Sequence, residues 1–276
     1  APLGELVALD FDSAELCGDF TRPGGLAQTI RQVRPDIIVN AAAHTAVDKA
    51  ENETELARTL NALSPGVLAE EAERLGAWLV HYSTDYVFDG SGQGPWVETD
   101  APSPINVYGL TKLEGEQLVI ANCQRHLIFR TSWVYAARGG NFARTMLRLA
   151  QERDFLTVID DQIGAPTGAD LLADVTAHAL RQVQHQPEAA GLYHLVAGGE
   201  TSWHGYAQYV IEHARRSPGA STIRATTVDP VPTMAFSTPA RRPLNSRLAT
   251  DRLRTVFSLT LPPWQKGVER MLAEIL

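Results

Sequence analysis

The amino-acid sequence predicts an α/β protein with a doubly wound, mostly parallel sheet and a smaller C-terminal α/β lobe. Short apolar segments such as residues 37–39 alternate with amphipathic helical segments, as in parallel strands that are covered on both faces. Beyond about residue 150 this βαβ alternation becomes less regular. We therefore expect a first domain over residues 1–149 and a second lobe mainly over residues 150–276, with residues 168–197 returning to the first domain.

Each element follows from its apolar pattern and from the residues that end it. Leu26, Ile30 and Val33 would share one face of a helix. This predicts the first helix over residues 23–33, which Pro35 ends. The same reasoning predicts strand 36–43, helix 67–75, strand 78–83, helix 108–121, strand 126–134, helix 142–151, strand 157–159, helix 170–182, strand 192–196, helix 203–215 and strand 223–228.

The start of the chain resembles the second strand of a dinucleotide-binding sheet. Residues 6–9 read as a short apolar strand that ends at Asp10, and an acid at that point of a Rossmann-like fold lies close to the adenosine ribose. The alternative is an exposed acid in a turn. No strand followed by a Gly-x-x-Gly-x-x-Gly turn is found in the first fifty residues. We therefore expect residues 1–149 to be a dinucleotide-binding domain that is incomplete at its amino terminus.

Composition excludes several kinds of partner. A net charge of −8 argues against general binding to nucleic acid or to anionic membranes, since both require a broad positive field. The longest apolar runs fall far short of the roughly 20 residues that span a bilayer, and no signal-peptide pattern opens the chain. Cys17 and Cys123 lack metal-binding spacing, which favours free thiols in a cytoplasmic protein.

Tyr108 and Lys112 form the central candidate for catalysis. They are four residues apart, so on a helix they lie on the same face, about 5–6 Å apart at Cβ. An ammonium at about 4 Å contributes up to about 4 kcal/mol in a partly screened site, enough to lower the pKa of a phenol substantially. Thr84, at the end of a predicted buried strand, could offer a hydroxyl to the same substrate oxygen. By itself the Tyr-x-x-x-Lys pattern is weak, and it more often marks a solvated lysine on an amphipathic helix.

Thr84 with Tyr108-x-x-x-Lys112 resembles the catalytic set of the extended short-chain dehydrogenases/reductases. Within that superfamily, four segments in the family's order closely resemble the dTDP-4-dehydrorhamnose reductase family: residues 36–51, 81–88, 129–135 and 161–167. The resemblance implies hydride transfer from NADPH or NADH to the C4 ketone of dTDP-4-dehydro-6-deoxy-L-mannose. The product would be dTDP-L-rhamnose, so this would be the last step of dTDP-rhamnose biosynthesis.

The resemblance also implies roles for individual residues. Tyr108 would be the general acid, Lys112 would lower its pKa and hold the nicotinamide ribose, and Thr84 would hydrogen-bond the carbonyl. Asp85 would position a sugar hydroxyl, and Trp133 would line the pocket, although a tryptophan on a strand also fits a core position. The implied cofactor-binding residues are Asp10, Asp19, Phe20, Ala43, His44, Thr45, Tyr108 and Lys112.

Arg241 and Arg242 are candidate diphosphate ligands. They lie between two prolines, and guanidinium groups on a stiff backbone match the oxygens of a diphosphate; the alternative is a solvated turn. Asp10 favours NADH over NADPH because its charge would repel a 2′-phosphate, but members of this family commonly accept both. Some also form homodimers with Mg²⁺, for which Asp170 and Glu274 are the candidate ligands here.

Three other functions remain open on sequence grounds. A 4,6-dehydratase of the same superfamily usually carries an acid directly after Thr-Asp, where this chain has Tyr86. A 4-epimerase keeps the tyrosine and lysine but recycles a tightly bound NAD. Related chains also serve as regulatory subunits that bind a dinucleotide without turning it over, and the intact Thr84, Tyr108 and Lys112 argue against that reading.

Overall fold

The protein is described by a computed structural model that covers residues 4–217 and 223–276. The helices are α1 (Pro23–Val33), α2 (Val47–Ala50), α3 (Thr54–Arg58), α4 (Ser64–Leu75), α5 (Val107–Asn122), α6 (Phe142–Glu152), α7 (Ala169–Val183), α8 (Trp203–Arg216), α9 (Asp251–Val256) and α10 (Trp264–Ile275). The strands are β1 (Ile37–Asn40), β2 (Trp78–Thr84), β3 (His126–Thr131), β4 (Val134–Tyr135), β5 (Phe155–Ile159), β6 (Ile163–Gly164), β7 (Thr167–Gly168), β8 (Gly191–His194), β9 (Thr201–Ser202) and β10 (Thr227–Val231). None of the helices in the described ranges has both the length and the apolar composition needed to cross a bilayer.

A parallel sheet with the strand order β1-β2-β3-β8 forms the centre of the fold. One of its faces packs on α7 and α9, and the other packs on α1, α4 and α5. Its middle strands are largely buried on both faces because helices cover both, as expected for a doubly wound sheet. The carboxyl ends of β2 and β3 lie side by side, with Thr84 opposite Thr131. This edge of the sheet carries the site described below.

Several predicted strands differ in the structure: the one predicted over residues 36–43 is shortened to β1, the one predicted over 126–134 ends with β3 at Thr131, and two more differ as follows. Residues 6–9 form no strand, and Leu6 is 75% exposed. A strand requires a neighbour for its backbone groups, whereas in the described residues the first ordered backbone bonds here are local, between Asp10 and Ser13. The strand predicted for residues 223–228 begins only at Thr227, because the amides of Arg224 and Ala225 instead cap the end of α6 at the Ala150 carbonyl.

Beyond the main sheet, the chain forms a smaller cluster of short strand pairs and helices. β5 pairs with β10 and β6 with β9, while α6, α8 and α10 share an apolar core. Tyr206, Val210 and Val268 are among the most buried residues of that core. The predicted division into two domains stays a prediction, because α7 and β8 contact the main sheet while their flanking segments contact this cluster.

A buried ion pair ties α5 to β3. Arg130 and Glu116 are 3% and 1% exposed, and they join through two bonds of 2.8 and 2.6 Å. We expect Glu116→Gln to lower the free energy of unfolding by about 3–5 kcal/mol, because it leaves a buried guanidinium without its counter-charge. Urea denaturation would measure this. The matched control is Glu152→Gln, which breaks the exposed pair with Arg148 and should change stability little.

Candidate active site

Thr84 and Asp85 stand at the carboxyl end of β2, where the chain turns into a short 3₁₀ helix (Asp85–Val87). Both residues are buried. The Thr84 hydroxyl caps this turn, accepting a hydrogen bond from the Tyr86 amide at 3.2 Å and donating one to Asp85 Oδ1 at 3.1 Å. These bonds fix the direction of the Thr84 side chain before any substrate arrives.

Tyr108 is brought to the same place by the start of α5. Asn106 caps the helix by accepting from the Gly109 amide at 2.8 Å, and Glu51 accepts from the Val107 amide at 2.9 Å. Gly109 is required here, since a Cβ at this position would lie 2.1 Å from the Tyr86 carbonyl oxygen. This close approach sets the rings of Tyr86 and Tyr108 edge to face at 5.7 Å.

The ionisation of Tyr108 differs from the sequence-based expectation. Burial raises its pKa to about 12, the hydrogen bond with Thr84 lowers it, and the charge of Asp85 raises it further. Lys112 does not act on it as predicted, because its Nζ donates to the Tyr82 carbonyl at 2.6 Å and lies 3.3 Å from His81 Nε2. The predicted lowering of the tyrosine's pKa by Lys112 is therefore wrong for this arrangement. Helical spacing fixes the position of Cβ but not the acceptor that the ammonium finds.

Lys112 is itself strongly perturbed. It is 2% exposed, and burial lowers its pKa to about 8, against an opposing effect of the Glu116 carboxylate. Its neighbour His81 is fully buried, and burial together with the charge of Lys112 lowers the pKa of that imidazole well below its usual value. Lys112 can therefore change its charge near neutral pH, which an exposed lysine does not do.

The carboxyl group of Asp85 is also perturbed. Burial raises its pKa to about 7, against hydrogen bonds from Ser246 and Thr84. Its Oδ2 is buried and has no hydrogen-bond partner among the described residues. A bound hydroxyl group could satisfy this atom. Sequence reasoning missed Ser246, which reaches the site because its amide bonds the Ile163 carbonyl on β6.

The loop after β1 contains three of the predicted cofactor residues. Ala43 and Thr45 are at least partly exposed, whereas His44 is buried and bonds Glu53 at 2.8 Å. The amide of His44 donates to Asn61, whose side chain also donates to Thr111 on α5. The loop is thus attached to the helix that carries Lys112. Asn61 lies in a π-helical turn (Thr59–Leu63) and had no signal in the sequence pattern.

The remaining predicted cofactor residues lie near the start of the described chain. Asp10 is exposed and accepts a hydrogen bond from the Phe11 amide. Asp19 accepts two bonds from Thr21, which lower its pKa. Phe20 packs against the apolar cluster beneath α1 and α4. All three residues therefore make contacts within the chain, and their role in cofactor binding stays a prediction.

The two arginines predicted to bind a diphosphate have different surroundings. Arg242 is engaged within the chain, where its guanidinium donates to both carboxylate oxygens of Asp48 at 3.1 and 2.7 Å. Arg241 is exposed, and its carbonyl accepts from Asn106 at the start of α5. Both contacts join the segment around residue 241 to the Tyr108 side of the molecule.

Trp133 is part of an aromatic stack. Its ring lies 3.7 Å from that of Trp203 at an interplanar angle of 14°, and the Trp203 indole donates to Gln162 at 3.1 Å. Its backbone φ is +49°, a left-handed conformation that tryptophan rarely adopts. Gly164 permits the stack, since a Cβ there would lie 2.9 Å from the Trp133 ring. No motif in the sequence connects Trp203 with Trp133.

Asp170 and Glu274 line a cavity of about 230 Å³ that also contacts Tyr135 and Lys266. Asp170 forms an ion pair with Arg270 at 3.5 Å. Within residues 4–217 and 223–276, no three or more His, Cys, Asp or Glu side chains are grouped so that they could hold a metal ion. The predicted Mg²⁺ therefore gains no support from this cavity.

Comparison with known proteins identifies the family. The chain matches the family model "RmlD substrate binding domain" over residues 4–276. It is 61% identical over 275 residues to dTDP-4-dehydrorhamnose reductase of Salmonella typhimurium, an alignment that covers 100% of this chain and 91% of that protein. The chain belongs to the dTDP-4-dehydrorhamnose reductase family.

Solved structures of dTDP-4-dehydrorhamnose reductases share the fold. The enzyme from Clostridium acetobutylicum is 34% identical with a TM-score of 0.84, and the alignment covers 93% of this chain and 86% of that one. The enzyme from Bacillus anthracis, solved in complex with NADP, is 37% identical with a TM-score of 0.83 and the same coverage. The family and the α/β fold predicted from sequence are therefore confirmed.

Proposed function

We propose that this protein catalyses the NAD(P)H-dependent reduction of the C4 ketone of dTDP-4-dehydro-6-deoxy-L-mannose to dTDP-L-rhamnose. The observation that carries the proposal is the meeting of Thr84, Asp85 and Tyr108 at the carboxyl end of a parallel strand, with Lys112 one turn further along α5. Ligands of open parallel sheets bind outside the carboxyl ends of the strands. The names of the relatives supply the substrate.

A dinucleotide fits the loop that follows β1. Ala41 and Ala42 are exposed and carry only methyl groups, so a ligand can approach the backbone closely. Within residues 4–217 and 223–276, the buried Nδ1 of His44 has no hydrogen-bond partner. We propose that this loop, with Thr45 and Lys112, holds reduced NADPH or NADH. When bound, the dihydronicotinamide supplies the hydride that reduces C4.

The side chains of this chain then handle the proton. Tyr108 gives its phenolic proton to the oxygen at C4 as negative charge develops there. A protonated Lys112 would assist by donating to the ribose hydroxyls of the bound dinucleotide, which would hold the nicotinamide in place. When Asp85 is neutral, its proton can bond to Thr84, which frees the threonine hydroxyl to donate to the ketone oxygen. This orients one face of the ketone toward the hydride donor.

Binding of the nucleotide part is proposed to fall to the segment around residue 241 and to the tryptophan stack. Arg241 is free to turn its guanidinium toward a diphosphate, while Arg242, held by Asp48, contributes positive field from a fixed position. The Trp133 ring offers a flat apolar wall for the sugar. We also propose that the protein is located in the cytoplasm, which its two free cysteines support. A homodimer stays a prediction.

The direct test is to mix the purified protein with the dTDP-4-keto sugar and either NADPH or NADH. We expect loss of nicotinamide absorbance in a one-to-one ratio with the dTDP-L-rhamnose formed. The same mixture without the sugar is the control. A 4-epimerase would convert the sugar without net consumption of reduced cofactor, and a regulatory subunit would bind the cofactor without consuming it; either result would contradict the proposed reaction.

A further inference from the structure

His81 lies in the middle of β2, is fully buried, and has both ring nitrogens in contact with polar groups. Its Nδ1 is 3.0 Å from Asn40 Nδ2, and its Nε2 is 3.3 Å from Lys112 Nζ. Burial keeps this imidazole neutral, so it carries a single N–H. The position of that hydrogen decides what Lys112 faces.

Asn40 determines the position of the hydrogen. The Ala42 amide donates to Asn40 Oδ1 at 3.0 Å, so the NH₂ group of Asn40 is the end that faces His81. An NH₂ group can only donate, and His81 Nδ1 must therefore accept. The ring hydrogen is left on Nε2, where it points at Lys112.

An ammonium group has no lone pair and cannot accept this hydrogen. A neutral amine can. Lys112 would then accept from His81 Nε2–H and donate to the Tyr82 carbonyl, at 3.3 and 2.6 Å. In this pattern each of the four contacts from the Ala42 amide to the Tyr82 carbonyl joins one donor to one acceptor, whereas an ammonium would leave the His81 Nε2–H facing a group that cannot accept it.

We propose that His81 is a positioning residue that acts through Lys112: with its ring fixed by Asn40, its Nε2–H favours the neutral amine of Lys112 and so sets the pH at which this lysine loses its proton. The kinetic part of this inference rests on the proposed reductase function.

The other charged and titratable groups around Lys112 do not favour its neutral amine. On α5, Glu116 favours the charged lysine, but Arg130 on β3 neutralises it through two short hydrogen bonds. Tyr108, one turn earlier on the same helix, is neutral because burial raises its pKa to about 12. Of the polar groups that contact Lys112 Nζ in the described residues, His81 is the one that opposes protonation by hydrogen bonding.

The tautomer can be measured without any turnover. The full chain would carry isotope-labelled histidine, and the His81 signals would be assigned by their loss in His81→Gln. Long-range nitrogen–proton correlation spectra are expected to show hydrogen on Nε2 and a bare Nδ1. Hydrogen on Nδ1, or a doubly protonated ring, would overturn the proposal. This measurement remains decisive even if the protein fails to reduce the keto sugar, which would count only against the proposed function.

Two variants test the effect on Lys112 through the pH profile of kcat with saturating cofactor. In Asn40→Asp the carboxylate can still accept from the Ala42 amide, but it draws the ring hydrogen to Nδ1, and Nε2 then offers its lone pair to the ammonium. Loss of the Lys112 proton should lower kcat at alkaline pH and so produce the alkaline limb of the pH profile. We expect this alkaline limb to move to higher pH by at least about one unit, which is tenfold in proton concentration.

His81→Gln separates hydrogen bonding from charge, because it adds no charge and its amide oxygen can accept from the ammonium. We expect the same upward shift of the alkaline limb. If the alkaline limb moved in Asn40→Asp alone, the electric field of the new carboxylate would explain the shift. If it moved in neither variant, His81 would not influence the pKa of Lys112. Either result would overturn the proposal.

Discussion

Tyr108→Phe is expected to lower kcat for the keto sugar by about 10²–10⁴-fold, the usual contribution of a positioned general acid. The substitution removes the only atom of the side chain that can transfer a proton and retains the ring. Affinity for the reduced dinucleotide should change little, because the ring still packs edge to face against Tyr86. Steady-state kinetics and a fluorescence titration of cofactor binding would measure the two effects separately.

Tyr86→Phe is the matched control, since it removes the phenolic hydroxyl of the tyrosine whose ring contacts that of Tyr108. Its hydroxyl lies near Arg242 and Asp85, and burial raises its pKa even further than that of Tyr108. We expect less than about a tenfold loss in kcat, because this group does not donate to the C4 oxygen. If the two variants lost activity equally, or if Tyr108→Phe kept near-normal turnover, Tyr108 would not be the proton donor.

Asp85→Asn is expected to stabilise the protein at high pH and to impair the reaction. The pKa of Asp85 is about 7 in the folded chain, against 3.8 for an unburied aspartate. Between these values the folded state binds a proton that the unfolded state lacks, so stability falls as pH rises from 4 to 7. The loss amounts to about 4 kcal/mol at most, and it stays in full above pH 7.

Asparagine is neutral at every pH and avoids this loss. The variant should therefore unfold at a higher denaturant concentration at pH 8 and at nearly the wild-type concentration at pH 4, as urea titrations would show. Asp89→Asn is the control: hydrogen bonds from Ser91 lower the pKa of Asp89, so its removal should not stabilise at any pH. Equal stability of wild type and Asp85→Asn at pH 8 would show that burying the charged carboxylate of Asp85 does not destabilise the protein.

The same variant should reduce kcat/KM for the sugar. The charged form of Asp85 is the one that would accept from the sugar hydroxyl, and a hydrogen bond to a charged group contributes about 1.5–3 kcal/mol, so its loss corresponds to roughly a ten- to hundredfold reduction. A residue that lowers stability at neutral pH while it serves binding is common in active sites. An unchanged kcat/KM would remove Asp85 from the substrate site.

Much of the fold could be predicted because it depends on local patterns. Helix α1 has the predicted limits, since its apolar face and the following proline are close together in sequence. Strand β2 and helix α5 also lie where expected. The strand expected at residues 6–9 was wrong, because an apolar run becomes a strand only if another strand accepts its backbone bonds.

The candidate site was predictable in its residue types but not in its contacts. Thr84, Tyr108 and Lys112 were found from spacing, and Thr84 and Tyr108 do meet in the structure. Ser246 and Asn61 were missed, since each reaches the site from a distant part of the chain with no motif to mark it. The ion pair between Arg242 and Asp48 could not be predicted either, because these residues are 194 positions apart.

By itself the sequence determined the family, the parallel sheet, and a tyrosine and a lysine on one face of a helix. These follow from periodicity and from motifs within a few residues of one another. Only the tertiary structure decided which groups are charged. The ionisation of Asp85, Tyr108 and Lys112 depends on how much water packing removes and on which donor or acceptor a distant segment places beside them.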